Sequence, residues 1–374
     1  VQSERIDAKG VPTQNYSMVA LQRKLFARSN LGAYMVNKQS FIDTDLQRSN
    51  GFQSYNRDLG FEYNLASADN FWTGSLFYAN TISPLQKDIS FSQASSLAYK
   101  DNNWAFGFKE SWVGENYNPE TGYVPRVNYI QTQLDASKNF YPKNKSTNVF
   151  YTTLSAMTMS YWNNQGTFTD NTSYVAYEGT MKDRSTFGAY LSYDYVKLLY
   201  DFDATRMGNT ALKKGTEHDW YALNARYSSS PIKLFTYTLS SRFGGYYGQG
   251  WRTGITADIG YRFQPYGSFS VAVDYNDIVD VAIPGTDVAA AKKVSSNFWI
   301  IRPKIDITFS NKLFFATFFQ LNQQTKNINL NARLQWRYKP ASDLFLVYTD
   351  NYFPEIMQIR NRALVLKLNY WLNL

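Results

Sequence analysis

A single histidine, His218, stands between two carboxylates, Glu217 and Asp219. An imidazole beside a carboxylate can move protons near neutral pH, which is the chemistry some barrel hydrolases use. No nucleophile motif accompanies it, and a solvated loop position is the competing reading. With one His and no Cys, the chain has no plausible ligand set for a transition metal. No Asp-x-Asp-x-Asp-Gly calcium loop occurs either, so no metal and no cofactor are expected. The second group that could do chemistry is cationic: Arg226, Arg242, Arg262, Arg302, Lys304, Arg333, Arg337 and Lys367. A wall lined by these side chains would favour anionic solutes or acidic sugars. Alternatively, they pair with Asp258, Asp274, Asp306 or a plug and only hold the wall together. The third group is a glycine-rich run, Gly244, Gly245, Gly248 and Gly250, among Tyr246, Tyr247 and Trp251. It lacks the strand–helix context and the Lys-Ser/Thr of a phosphate loop. It reads as a flexible external turn whose aromatics anchor in a membrane interface or stack on sugar rings.

Strands must position all of these groups. From Leu364 to Leu374 every second residue is Leu or Tyr, and Val365, Lys367, Asn369, Trp371 and Asn373 lie between. A period of two places the two sets on opposite faces of one strand, one suited to hydrocarbon and one to water. About nineteen strand candidates can be read, many of them about 9–15 residues long, against about 5–6 for strands of soluble sheets; several alternate cleanly, while 127–138 and 165–178 alternate poorly. On 327–338, Ile328, Leu330, Ala332, Leu334, Trp336 and Tyr338 oppose Asn329, Asn331, Arg333, Gln335 and Arg337. On 252–263, Ile255, Ala257, Ile259, Tyr261 and Phe263 oppose Thr256, Asp258, Gly260 and Arg262. Each cation named above falls on a polar face. On a lipid face it would cost about 2–4 kcal/mol at mid-bilayer. Pro303 cannot donate to a ladder, so a bulge or local break is expected inside strand 295–309.

The connections between strands tend to alternate short and long. Long ones are expected near 350–360, 278–294, 198–216, 114–126, 81–93 and 38–53. Outer-membrane barrels have short periplasmic turns and longer external loops. Loop 198–216, with Asp201, Asp203, Arg206, Lys213 and Lys214, reads as solvated. The odd strand count departs from the even counts of single-chain bacterial barrels, so further strands upstream of Val1 are expected.

Composition agrees with two solvents. Charged residues are only 18% and aromatics 17%, yet mean hydropathy is −0.43, so polar side chains balance the apolar ones. No run approaches the roughly 18 apolar residues of a transmembrane helix. The net charge of +8 is dispersed rather than gathered in a Lys/Arg run, which argues against nucleic acid as a partner.

Three segments together carry a family resemblance. They are Trp112-Val113-Gly114-Glu115, then Asn118-Pro119-Glu120-Thr121-Gly122-Tyr123-Val124-Pro125-Arg126, and the ending from Arg360-Asn361-Arg362 through Leu366-Lys367-Leu368-Asn369-Tyr370-Trp371-Leu372-Asn373. They resemble the C-terminal β-barrel region of a Bacteroidota-type outer-membrane family of uncharacterised function. That barrel usually follows a family-nine-type carbohydrate-binding module. The resemblance implies a barrel linked to carbohydrate, but no residue here matches the sugar-binding module and no catalytic motif comes with the family.

These readings converge on an all-β chain. Residues 1–374 are expected to form a large antiparallel transmembrane β-barrel of about 18–20 strands, the C-terminal part of a longer protein. The expected setting is the outer membrane of a Gram-negative bacterium, in contact with lipid and lipopolysaccharide. Passage of anionic or sugar solutes is the first expected role. A structural subunit among other outer-membrane proteins or lipoproteins is the second, and a hydrolase centred on His218 the third.

Overall fold

The computed structural model describes residues 2–85, 88–144, 146–283 and 292–372. Nineteen strands belong to one antiparallel sheet, and the chain divides into two compact units. The first unit holds the chain up to Asn139 together with Ser155–Ser173. Its strands are β1 (Thr13–Leu25), β2 (Ser29–Phe41), β3 (Tyr55–Ala66), β4 (Trp72–Ile82), β5 (Phe91–Lys100), β6 (Trp104–Val113) and β7 (Tyr129–Phe140). Each pairs antiparallel with the next. A short helix, α1 (Asp45–Ser49), starts on a capping box in which Thr44 and Gln47 satisfy each other's backbone N–H. Two strands, β8 (Val149–Trp162) and β9 (Phe168–Met181), give a stretch to each unit.

The second unit holds Phe140–Leu154 and the chain from Tyr174 onward. Its strands are β10 (Thr186–Lys197), β11 (Glu217–Ser228), β12 (Phe235–Tyr246), β13 (Gly250–Phe263), β14 (Gly267–Ile283), β15 (Lys292–Thr308), β16 (Leu313–Asn322), β17 (Asn327–Lys339), β18 (Ser342–Phe353) and β19 (Gln358–Leu368). Again each pairs antiparallel with its successor.

The period-two expectation is met on several strands. Ile255, Ile259 and Tyr261 of β13 are exposed, as are Leu239 and Phe243 of β12 and Leu334 and Trp336 of β17. In the first unit Leu59, Phe61, Leu76, Leu97, Phe106 and Phe108 are exposed too. An apolar surface this extensive is foreign to a soluble monomer. Among the described residues no helix is long and apolar enough to cross a membrane. The strands have 10–17 residues, enough for tilted strands that need about 9–11.

Several sequence expectations are corrected. The connection expected at 350–360 shrinks to a four-residue turn, because β18 runs to Phe353 and β19 starts at Gln358. The connection at 278–294 shrinks as well, because β14 runs on to Ile283 and β15 starts at Lys292; residues 284–291 lie outside the described residues. A register shift at Ile278/Val281, with Asp280 at φ 57°, lets β14 continue past Asp277. At Pro303 the expected local break is found. The β15–β16 ladder skips Arg302 and Pro303 and resumes at Lys304 in unchanged register, so the missing N–H costs pairing only locally. The C-terminal strand ends at Leu368, though Asn369 still exchanges two backbone hydrogen bonds with Asp343; Asn373 and Leu374 lie outside the described residues. Every residue of β19 is exposed, on both its faces.

Candidate basic cavities on the polar face

In the second unit, strand register gathers the cations that alternation had only placed on one face. Arg242 lies opposite Asn224 on one side and Gly254 on the other, and Arg252 lies opposite Gly244 and Ile278. Four arginines, Arg206, Arg226, Arg242 and Arg252, line a cavity of about 510 Å³. The guanidinium carbons of Arg242 and Arg252 sit 5.7 and 5.5 Å from the ring centre of Tyr246. Arg242 donates to the Arg252 carbonyl (3.1 Å) and the Gly245 carbonyl (2.7 Å). Arg252 donates twice to Asn276 Oδ1, at 3.1 and 2.8 Å.

A second cavity of about 780 Å³ lies toward the β11–β12 and β13–β14 turns. Arg184, Arg262, Arg302 and Lys304 line it, with Asp258, Thr236 and Thr238. Arg262 donates to the carbonyls of Pro231 (2.5 Å) and Lys233 (2.6 Å), which fixes it against the β11–β12 turn. An ion pair separates the two cavities. Asp274 lines the first and Arg302 the second, and they meet at 2.5 Å.

The eight cations expected to line a wall therefore have different fates. Arg226 and Arg242 line the first cavity, and Arg262, Arg302 and Lys304 the second. Arg302, Lys304 and Arg337 pair with Asp274, Asp306 and Asp343, as the wall-holding alternative requires. Arg226, Arg242, Arg262, Arg333 and Lys367 make no ion pair among the described residues. Arg333, Arg337 and Lys367 line neither cavity. Three cavity arginines went unread in the sequence. Arg252 begins the strand 252–263 and shares the parity of Arg262, so the same alternation could have found it; Arg206 and Arg184 lie in a loop and a turn without periodicity and gave no signal.

In the loop at 198–216, Asp201, Arg206, Lys213 and Lys214 are exposed, as in a solvated connection, but its apolar residues dock on the sheet. Leu212 is completely buried, and with Leu198 and Ala204 it packs on Tyr246, Ile278, Val281 and Phe298 of the polar face. Apolar loop side chains gain burial there because those strand ends carry apolar residues on the otherwise polar side. Asp203 organises the loop by accepting from Thr205 Oγ1 (2.7 Å) and from the N–H groups of Thr205, Met207, Gly208 and Asn209 (2.9–3.1 Å). Burial alone would raise the Asp203 carboxyl, but the hydrogen bonds from Thr205, Asn209 and Gly208 outweigh it and hold it below the usual carboxylate range. Asp201 is also held low, by the Lys214 N–H and the Lys213 ammonium. The loop docks through Tyr246 Oη to the Ala204 carbonyl (3.1 Å) and Asn209 Nδ2 to Ser296 Oγ (3.1 Å). It thus carries Arg206, at φ 54°, over the first cavity.

The aromatic trio divides by parity. Trp251 is 50% exposed on the apolar face. Tyr246 and Tyr247 are corrected. Tyr246 is only 8% exposed and faces the cavity, and Tyr247 packs on Trp220 (4.6 Å), Phe202 and His218, so neither anchors in an interface. The glycines among them serve close approach rather than flexibility. Gly248 has φ 59°, and a Cβ there would lie 2.5 Å from the Ala282 carbonyl; at Gly244 it would lie 2.4 Å from that of Tyr221.

His218 pins this turn. Its Nδ1 accepts from the Gly248 N–H (3.2 Å), which leaves the proton on Nε2, facing Thr216 Oγ1 at 2.9 Å. The flanking carboxylates turn elsewhere: Glu217 pairs with Lys197 at 3.0 Å, and Asp219 falls on the opposite face of β11. His218→Ala is therefore expected to speed hydrogen exchange at Gly248 and its neighbours, with protection elsewhere in the second unit retained.

In the first unit, the Asn118–Arg126 segment is stitched to the polar face. Asn56 donates to the Asn118 carbonyl (2.9 Å) and accepts from the Glu120 N–H (3.2 Å), while Lys38 pairs with Glu120. Arg126 pairs with Asp170 at 2.8 Å and lies over Tyr161. A cavity of about 540 Å³ beside this segment is lined by neutral groups, including Gln53, Asn116, Tyr117 and Tyr123, with Glu115 at its rim.

Comparison with known proteins bears on both units. A family model described as a domain of unknown function, DUF5916, matches residues 2–282. The chain belongs to that family. No curated protein matches it. Among solved structures it is similar to the siderophore receptor PirA from Pseudomonas aeruginosa, with a TM-score of 0.53 and 10% identity over 92% of this chain and 69% of that one. At that identity the likeness is one of fold. The DUF5916 chain is all-β, with a large antiparallel sheet similar in fold to the barrel of that receptor.

Proposed function

We propose that this DUF5916 chain forms the wall of a channel- or transport-type barrel in the outer membrane of a Gram-negative bacterium, with lipid and lipopolysaccharide against its apolar face. The supporting observation is the division of one sheet into an exposed apolar face and a polar face that holds two arginine-lined cavities in line along β11–β15. An eight-strand barrel can fill its interior with side chains alone, and a much larger one leaves room for solute, plug or partner. Cations on that inner face set a preference for anionic solutes, acidic sugars included. The resemblance to a Bacteroidota-type family with an upstream carbohydrate-binding module supports a link to glycan uptake. The siderophore of the similar receptor is not carried over, since only the fold is shared. The reading involves no catalysis and no cofactor.

The test is conduction. Purified protein in planar bilayers is expected to conduct with anion preference, and Arg226→Glu with Arg302→Glu is expected to move that preference toward cations. An insulating barrel, or a selectivity indifferent to both substitutions, would sink the reading. The exposure of all of β19 favours a second role, as a docking subunit for other outer-membrane proteins or lipoproteins. Stoichiometric partners in a mild-detergent extract would support it.

A further inference from the structure

The first cavity holds a surplus of positive charge that nothing described neutralises. Arg242 uses two of its guanidinium N–H groups on backbone carbonyls, and Arg252 uses two on a neutral amide oxygen. The side chains of Arg226 and Arg206 make no hydrogen bond or ion pair with any described residue; that of Arg206 lies over the Phe202 ring, 5.6 Å away. Asp274, the carboxylate lining the cavity, is already engaged through both oxygens, by Arg302 at 2.5 Å and Thr256 Oγ1 at 2.8 Å. Asp194 acts on Arg242 from β10. The lining of this cavity of about 510 Å³ thus carries four arginines and one carboxylate, Asp274, which Arg302 already pairs.

Arg242 and Arg252 are half-buried while Arg226 and Arg206 are exposed, and like charges gathered this closely repel one another. Such a cluster persists where it is offset by a ligand of opposite charge, and guanidinium forks suit planar or tetrahedral oxyanions. The four cations also come from separate elements. Arg226, Arg242 and Arg252 stand on three successive strands, while Arg206 arrives on the docked loop. Paired wall-holding charges, as at Arg337–Asp343, need no such convergence.

We propose that this cavity binds a small multivalent oxyanion, a solute bearing phosphate or sulfate groups or several carboxylates. Arg242 and Arg252 form its floor beside Tyr246, Arg226 its side, and Arg206 closes over it. The proposal deepens the transport reading and rests on it for the solute's route, while the binding itself can be measured independently.

The test uses the whole chain, folded in detergent at low ionic strength, with pyrophosphate and citrate as probes and sucrose as the neutral control, read by titration calorimetry. Pyrophosphate and citrate are expected to bind one to one and sucrose not at all. Arg226→Gln, which removes no contact to the described protein, is expected to weaken binding about 10-fold, and Arg242→Gln with Arg252→Gln about 100-fold. Arg333→Gln, on the same face but outside the cavity, is expected to leave binding unchanged. Absent binding, equal binding in Arg226→Gln, or equal weakening by Arg333→Gln would overturn the proposal. The two readings fail separately: a barrel that conducts without binding these anions removes the site, and one that binds them without conducting removes the transport route.

Discussion

Leu334→Arg is expected to destabilise the folded protein in a lipid bilayer by about 2–4 kcal/mol. Leu334 stands near the middle of β17, on the face it shares with Trp336, and pairs with Phe315 and Leu346. If that face meets hydrocarbon, a guanidinium there must either lose its hydration or drag water into the bilayer. Its sequence neighbour Arg333 is a native arginine one residue away on the other face. Asn331→Arg, on the Arg333 face, supplies the matched control and is expected to leave folding intact. Urea titration of protein folded into phospholipid vesicles reads both. Equal costs at positions 331 and 334 would mean that the two faces meet the same solvent, and the membrane assignment would fail with that result.

The faces tested here were legible in the sequence because each strand carries its own address. In a soluble core, a residue's environment depends on distant partners. In a sheet with one apolar and one polar face, parity alone places Ile255 on one side and Thr256 on the other. The same rule separates Trp251 from Tyr246, which a reading by aromatic content had grouped together. Parity cannot say which cations meet. Arg242 joins Arg252 and Arg226 through inter-strand register, while Arg333 stays outside both cavities; register depends on turn geometry that the strand pattern does not encode. Strand ends were misread where a bulge breaks the alternation. Asp277 and Asp280 ended the apparent strand, whereas the shift at Ile278/Val281 carries β14 on to Ile283. The docked loop was hidden for a different reason. Leu198, Phe202 and Leu212 follow no period, and their polar neighbours Asp201 and Asp203 look solvated until the hydrogen bonds they accept are seen.

Leu212→Ala is expected to release that loop. Leu212 is fully buried in the cluster with Tyr246, Ile278 and Phe298, and truncating such a leucine costs about 2–5 kcal/mol. Loops open as local units, so the loss should fall on segment 198–216 rather than on the sheet. A cost of about 2 kcal/mol corresponds to a roughly 30-fold larger open population, and hydrogen exchange across 198–216 should quicken by about that factor while β11–β13 keep their protection. Exchange that rises equally in the strands would instead make Leu212 part of the sheet's own stability. Acid supplies an independent check. Asp203 is depressed in the folded loop, so its contribution is fully present above its unfolded pKa of about 3.9 and is lost only as the pH falls through the lower folded value. Asp201, also depressed, behaves the same way. The loop should therefore stay docked from pH 7 to pH 5 and loosen only below about pH 4, with Arg206 withdrawn from the cavity as it does. Asp203→Asn leaves Thr205, Met207, Gly208 and Asn209 without their shared charged acceptor, and it should bring the pH 7 exchange of this segment close to its acid value. A loop that loosens near neutral pH, or that ignores Asp203→Asn, would show that something other than this carboxylate holds it down.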